Sequence, residues 1–172
     1  MITASEPADR FYVSQGLRLH YADWGNDTAP QLILLHGGRD HCRSWDWIAR
    51  ALQPHFHVIA PDLRGHGDSD WATGSSYSLA DHVYDLTHLV DAGRESVVVG
   101  HSFGGMISMA FAGTFPERVA KLVVLDGAFL PDASSDPIHV QMTKWMAQLD
   151  KISTMKARPY RTIEDAAERM SA

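Results

Sequence analysis

Val97-Val98-Val99 runs directly into Gly100-His101-Ser102-Phe103-Gly104, and the residues from Phe103 to Phe115 are compatible with a helix. The valine run is too short for a helix and has no polar alternation, so Ser96 to Gly100 is expected to be a strand buried on both faces. A strand that passes into a helix through so short a turn belongs to an architecture of helices layered on a sheet, and it holds a serine at the apex of the turn. The flanking glycines have a physical purpose. A serine forced into a sparsely populated backbone conformation needs neighbours without side chains, so that strand and helix can approach closely. The turn also sets Ser102 beside a helix N-terminus, where unpaired N–H groups favour developing negative charge. The plainer alternative is that Gly100 and Gly104 only permit a tight turn and that Ser102 caps the helix.

The rest of the chain repeats this alternation. Arg10 to Ser14 and Leu17 to Trp24 flank Gln15-Gly16 and suggest a hairpin. Leu32-Ile33-Leu34-Leu35 is a buried strand ending at His36-Gly37-Gly38, and Ser44 is the expected N-cap of a helix over Trp45 to Leu52. Phe56 to Ala60 predicts a strand and Pro61 to Ser76 a turn-rich loop. Ser78 to Ala92 follows as a helix capped by Ser78, with an apolar stripe of Leu79, Val83, Leu86 and Val90. Val119 to Leu125 is a further strand rich in branched residues. The order β-α-β-α-β-α-β predicts an α/β fold, a mostly parallel sheet with helices on both faces. After Asp126 the strand pattern stops, and Ile138 to Leu149 and Thr162 to Met170 predict two helices around Arg158-Pro159. The expected division is therefore residues 1–130 as the sheet-bearing part and 131–172 as a separate segment.

Composition excludes several classes of function. A formal charge of −6, with no block of like charge, argues against nucleic acid as a partner. The single Cys42 cannot form an internal disulfide, and no apolar run approaches the roughly 20 residues that span a bilayer. The expectation is a cytoplasmic protein without a membrane partner. His20, His55, His57, His82 and His88 show no metal-ligand grouping in the sequence, and neither metal nor cofactor is expected.

A nucleophilic serine also needs N–H groups aimed at the substrate oxygen as it becomes tetrahedral, and His36-Gly37-Gly38-Arg39, after a central strand, lies where such groups arise. Strand-His36-Gly37-Gly38, Pro61-Asp62-Leu63-Arg64-Gly65-His66-Gly67-Asp68-Ser69 and Gly100-His101-Ser102-Phe103-Gly104-Gly105, in this order and spacing, resemble the α/β-hydrolase superfamily in its single-domain, esterase-like branch. The resemblance covers about residues 10 to 130. It implies that Ser102 forms an acyl-enzyme and that the N–H groups of Gly38 and Phe103 form the oxyanion hole. It further implies that Arg39, His101 and Phe103 lie near a small acyl substrate, an ester, a lactone or similar. The Asp62 to Ser69 stretch is expected to be structural, a loop braced by side-chain hydrogen bonds. Because Ser102 stands where epoxide hydrolases and haloalkane dehalogenases carry an aspartate, acyl transfer is expected rather than an alkyl-enzyme ester.

The superfamily order places an acid and then a histidine after the serine, and only His139 follows Ser102. His139 lies in a segment expected to begin a cap, which suits a surface residue better than a base. Asp126, at the C-terminal end of the Val119 to Leu125 strand, is a candidate acid or a turn-capping residue. His101, adjacent to the nucleophile in sequence, is poorly placed to act as its base. Val119 to Leu125 is apolar on both faces, and as the last strand it would leave a hydrophobic parallel edge open. The expectation is that the remaining strands, the acid and the histidine lie outside these 172 residues, downstream or on a second chain. Two alternatives stay open. One is a relative that hydrolyses carbon–carbon bonds or performs cofactor-free haloperoxidation, and the other is a scaffold that binds a ligand without turnover.

Overall fold

A computed structural model of the chain describes residues 6–73, 77–90, 93–127, 136–137, 139–140, 143–144, 146–147 and 162–170. The chain divides into two compact units, Met1–Phe129 and Leu130–Ala172.

The first unit is a six-stranded sheet. β1 (Ala8–Ser14) and β2 (Leu17–Asp23) form the expected antiparallel hairpin, and Gln15 and Gly16 turn the chain with φ of 50° and 78°. β3 (Gln31–Leu35), β4 (His57–Pro61), β5 (Ser96–His101) and β6 (Val119–Leu125) complete the order β1-β2-β4-β3-β5-β6. β2 pairs antiparallel with β4, and all pairs from β4 to β6 are parallel. β3 therefore sits inside the sheet, and all five of its residues are buried.

The pleat divides the core between two faces. Leu32, Leu34, Val58 and Ala60 point to one side and pack with Trp24, Cys42, Trp45 and Ala49. Ile33, Leu35, Ile59 and Val98 point to the other and pack with Leu86, Val90, Ile107 and Phe111. Helix α1 (Asp46–Leu52) thus covers one face, and α2 (Leu79–Leu89) and α3 (Phe103–Thr114) cover the opposite one. Ser78 caps α2 in a full capping box with Asp81, as expected. Of the predicted α2 stripe, Leu86 and Val90 are buried, whereas Leu79 is 38% exposed at the helix start.

Ser44 does not cap α1. It lies inside a 3-10 turn, Cys42–Trp45, whose cap is the His41 ring accepting the Arg43 N–H, and the Ser44 hydroxyl donates to the His41 carbonyl. Ser44 falls inside that turn, so Trp45, which has no side-chain oxygen, takes the capping position, and α1 begins at Asp46 without a side-chain cap.

The loop after β4 is braced as its composition suggests. Asp62, buried, accepts the Cys42 N–H at 2.6 Å, the Asp68 N–H at 3.0 Å and a contact from His20 Nδ1 at 2.8 Å. Burial alone would raise this carboxyl, but the Asp68 and Cys42 N–H groups and the His20 ring outweigh it and hold it below its ordinary range. Arg64, fully buried, forms a two-pronged ion pair with Asp85 of α2 at 2.7 and 2.6 Å. His82, one turn before Asp85, is buried edge-on against the Phe103 ring, 4.9 Å between centroids at 88°. Burial, reinforced by the Arg64 guanidinium, pushes its imidazole down to about 4.

β6 ends the sheet order, and among the described residues its outer edge is unpaired. Leu122, Val123 and Leu125 are each about two-fifths exposed, so the apolar strand shows side chains as well as backbone. In the second unit, α4 (Ile163–Met170) is the predicted second helix. Residues 139–140, 143–144 and 146–147 are helical, as expected for Ile138 to Leu149, and the rest of that helix lies outside the described residues. No helix among the described residues is long and apolar enough to cross a membrane.

Two measurements follow from this scaffold. Asp62→Ala strands the buried Cys42 N–H, the part-buried Asp68 N–H and the His20 ring, and should cost about 3–5 kcal/mol in chemical denaturation. His82 binds a proton more readily unfolded than folded, so its contribution is complete above about pH 6.5 and is lost as the pH falls towards about 4. Denaturation across that window should lose about 3 kcal/mol through this residue, and His82→Phe should flatten the slope.

Candidate active site

Ser102 occupies φ 49° and ψ −113°, a conformation that side chains rarely adopt, between the last residue of β5 and the first of α3. Close packing around the turn accounts for the flanking residues. A Cβ on Gly100 would run into the Gly104 carbonyl and lie 2.6 Å from Ser108 Oγ, and one on Gly104 would lie 2.5 Å from the carbonyl oxygens of both Leu35 and His36. Only glycine lets α3 start this close to the ends of β3 and β5. The Ser102 N–H donates to the Leu125 carbonyl at 2.9 Å, which ties the turn to the end of β6. Its side chain makes no cap hydrogen bond, so the serine is not there to cap α3.

The loop after β3 lies against this turn. An ideal Cβ on Gly38 would sit 3.9 Å from Phe103 Cβ, and Gly38 and Arg39 are exposed. Gly37 lies under the His101 ring and Ser102, its ideal Cβ 2.9 Å from His101 Nδ1 and 3.4 Å from Ser102 Cβ. The loop is held from below by His36, whose Nε2 accepts the Leu63 N–H at 3.0 Å while Nδ1 faces the Gly37 carbonyl at 2.7 Å. Burial lowers the basicity of this ring, and a neutral imidazole protonated on Nδ1 satisfies both bonds. On the far side of Gly38, Arg39 has φ 66° and donates its N–H to His66 Nε2 at 3.2 Å. His36 and His66 stand in the sequence only as members of the motifs His36-Gly37-Gly38 and Pro61 to Ser69, with no role assigned to either ring. The alternation Gly65-His66-Gly67, with both glycines at positive φ, was the available signal for the second.

Ser102, Phe103, Gly38, Arg39 and His101 are thus brought together at the C-terminal ends of β3 and β5. His101 also lines a pocket of about 240 Å³ with Asp40, Ser44, Trp45, Ile48 and Leu125. Asp126 follows β6 directly, exposed and at φ 49°, one residue beyond the carbonyl that accepts the Ser102 N–H. His139 lies in the second unit, exposed, its carbonyl accepting the Thr143 hydroxyl. Among the described residues, none hydrogen-bonds the Ser102 hydroxyl. The histidines that showed no grouping in sequence do gather in space. His20, Cys42 and Asp62 meet within the buried loop network, and His57 meets Asp23 and Asp27 at the surface. In the first cluster every Asp62 contact is already to protein, and burial beside Asp62 pushes the Cys42 thiol well above its ordinary value, away from the thiolate that metals and electrophiles require.

The model of the alpha/beta hydrolase fold matches residues 30–152. Lipase LipV of Mycobacterium tuberculosis is 39% identical over 142 residues, 81% of this chain and 52% of the lipase. Epoxide hydrolase 4 of Mus musculus is 38% identical over 114 residues, 64% of this chain and 32% of that protein. This chain therefore spans about half the length of the lipase and a third of the epoxide hydrolase. Among solved structures, a hypothetical protein from Pseudomonas aeruginosa PAO1 superposes with a TM-score of 0.84 at 26% identity, over 97% of this chain and 60% of that one. An epoxide hydrolase from Vigna radiata gives 0.71 at 28% identity, over 81% and 46%. With its parallel sheet, its strained serine turn and this match over most of its length, the chain belongs to the α/β-hydrolase fold family.

Proposed function

We propose that the protein is a serine hydrolase that cleaves a carboxylic ester, lactone or similar acyl substrate through an acyl-enzyme on Ser102. The observation that carries this reading is the Ser102 backbone at φ 49° and ψ −113°, with its hydroxyl uncommitted at the start of α3. Such strain is retained where a function uses it.

In the reaction, Ser102 Oγ attacks the carbonyl carbon as its proton passes to a base, and the carbonyl π electrons move onto the oxygen. The N–H groups of Gly38 and Phe103, the second at the N-terminus of α3, receive that oxyanion. Collapse of the tetrahedral centre expels the alcohol, which regains the proton, and water then repeats the sequence on the acyl-enzyme. Arg39, His101 and the Phe103 ring border the substrate. No cofactor takes part in these steps.

The base and its orienting acid are assigned to residues outside these 172, on strands that continue the sheet past β6. Support comes from the open, half-exposed apolar edge of β6 and from the coverage of about half of the lipase relative. Epoxide hydrolases among the relatives do not alter the choice, since Ser102 stands at the position where that branch is expected to carry aspartate. A ligand-binding scaffold without turnover is the second reading, favoured by the lack of any described side chain hydrogen-bonded to the Ser102 hydroxyl.

A fluorophosphonate probe followed by peptide mass spectrometry should label Ser102, and Ser102→Ala should abolish labelling and product release together. Labelling at another residue, or hydrolysis that survives Ser102→Ala, would overturn the assignment. The 172 residues alone should react slowly, and the protein carrying the continuing strands should react faster by on the order of 10²–10⁴. Ligand retention without product from that longer protein would favour the scaffold.

A further inference from the structure

We propose that His66 is a positioning residue of the oxyanion loop, a latch whose neutral ring holds Arg39, and with it the Gly38 N–H, in place. The inference rests on the acyl-transfer reading for the importance of Gly38, but the latch itself is a matter of geometry. Arg39 is an exposed, non-glycine residue at φ 66°, and such a conformation persists only where neighbours enforce it. The contact that enforces it is the Arg39 N–H donated to His66 Nε2 at 3.2 Å.

The imidazole is itself well located. Nδ1 faces the Arg64 carbonyl at 3.1 Å, the ring packs 5.1 Å from His36, and the His66 N–H donates to the Leu63 carbonyl at 2.9 Å. Next to it Gly67, at φ 49°, presses so closely on Asp62 that a Cβ would collide with the carboxylate, which fixes the turn that carries His66. Two imidazoles therefore tie the oxyanion loop to the braced loop after β4. His36 does so on one side of Gly38 and His66 on the other. Gly38 is suspended between them.

An imidazole that donates from Nδ1 and accepts at Nε2 does so only when neutral. A second proton on His66 places N–H against the Arg39 N–H and releases the latch. The titratable and charged groups around His66 are His36 at the end of β3, His82 on α2, Arg39 and Asp40 on the oxyanion loop, and Asp62, Arg64 and Asp68 on its own loop. Arg64 is committed to Asp85, and among the described residues no carboxylate is hydrogen-bonded to the His66 ring.

Nuclear magnetic resonance on ¹⁵N-labelled protein tests this without reliance on activity. At neutral pH His66 should be the Nδ1–H tautomer, and on acidification the Gly38 and Arg39 amide resonances should move with the same midpoint as the His66 ring, while those of Ile33 and Val98 stay fixed. His66→Phe, which keeps a ring against His36 but offers no acceptor, should displace the Gly38 and Arg39 resonances at every pH. His66→Gln, which offers an acceptor that does not titrate, should keep the neutral positions into acid. Phosphonate labelling of Ser102 should slow on the order of 10- to 100-fold in His66→Phe and recover in His66→Gln. An Nε2–H tautomer in the parent protein, or Gly38 and Arg39 resonances indifferent to acid, would overturn the latch even if His66→Phe failed to fold. Resonances that follow His66 while Ser102 never labels would retain the latch and refute acyl transfer.

Discussion

The approach of Gly104 to the end of β3 is the contact on which the site depends. With the carbonyl oxygens of Leu35 and His36 only 2.5 Å from where a Cβ would be, α3 starts almost in contact with the sheet. β5 has no room for a gradual turn, and Ser102 is driven into a conformation foreign to side chains. The same contact brings the start of α3 next to the loop that leaves β3, so the Phe103 and Gly38 backbones become neighbours. The strained serine turn and its closeness to the Gly38 loop are two consequences of one steric fact.

A turn held this tightly needs a rigid floor, and the loop after β4 supplies it. Asp62 gathers N–H groups from Cys42 and Asp68 and the ring of His20, while Arg64 anchors the loop to Asp85 on α2. Ser69 closes the loop by donating to the Asp62 carbonyl and accepting the His20 N–H. The charged groups are buried but paired, so their desolvation is offset and their removal would leave unsatisfied partners. His36 and His66 then transmit this rigidity to the loop after β3, and His82 presses on Phe103 from the other side.

The elbow was legible in sequence because its signature is local, a valine strand, two glycines and a helix that can start at once, although the contact that requires Gly104 is tertiary. Ser78 with Asp81 was legible for the same reason, since a capping box is a short-range pattern. Ser44 misled because it falls inside the 3-10 turn before α1, which leaves Trp45 at the capping position. The gathering of His20 with Cys42 and Asp62, and of His66 with Arg39, joins residues that are distant in the chain, and single-residue composition carries no trace of such tertiary pairing. Among the described residues no side chain is hydrogen-bonded to the Ser102 hydroxyl: His139 belongs to the second unit, and Asp126 is an exposed residue in a strained turn.

The most direct test of the central claim, that the fold strains Ser102 into the geometry of a nucleophile, is the stability of Ser102→Gly compared with Ser102→Ala. Alanine retains the Cβ and therefore the strain, while glycine relieves it. Glycine in turn loses about 0.5–1 kcal/mol through its greater freedom when unfolded, against strain on the order of 1–3 kcal/mol. Chemical denaturation should find the glycine variant more stable than the alanine variant by about 1 kcal/mol. A glycine variant equal to or less stable than the alanine variant would mean that the turn is relaxed, and would contradict the account.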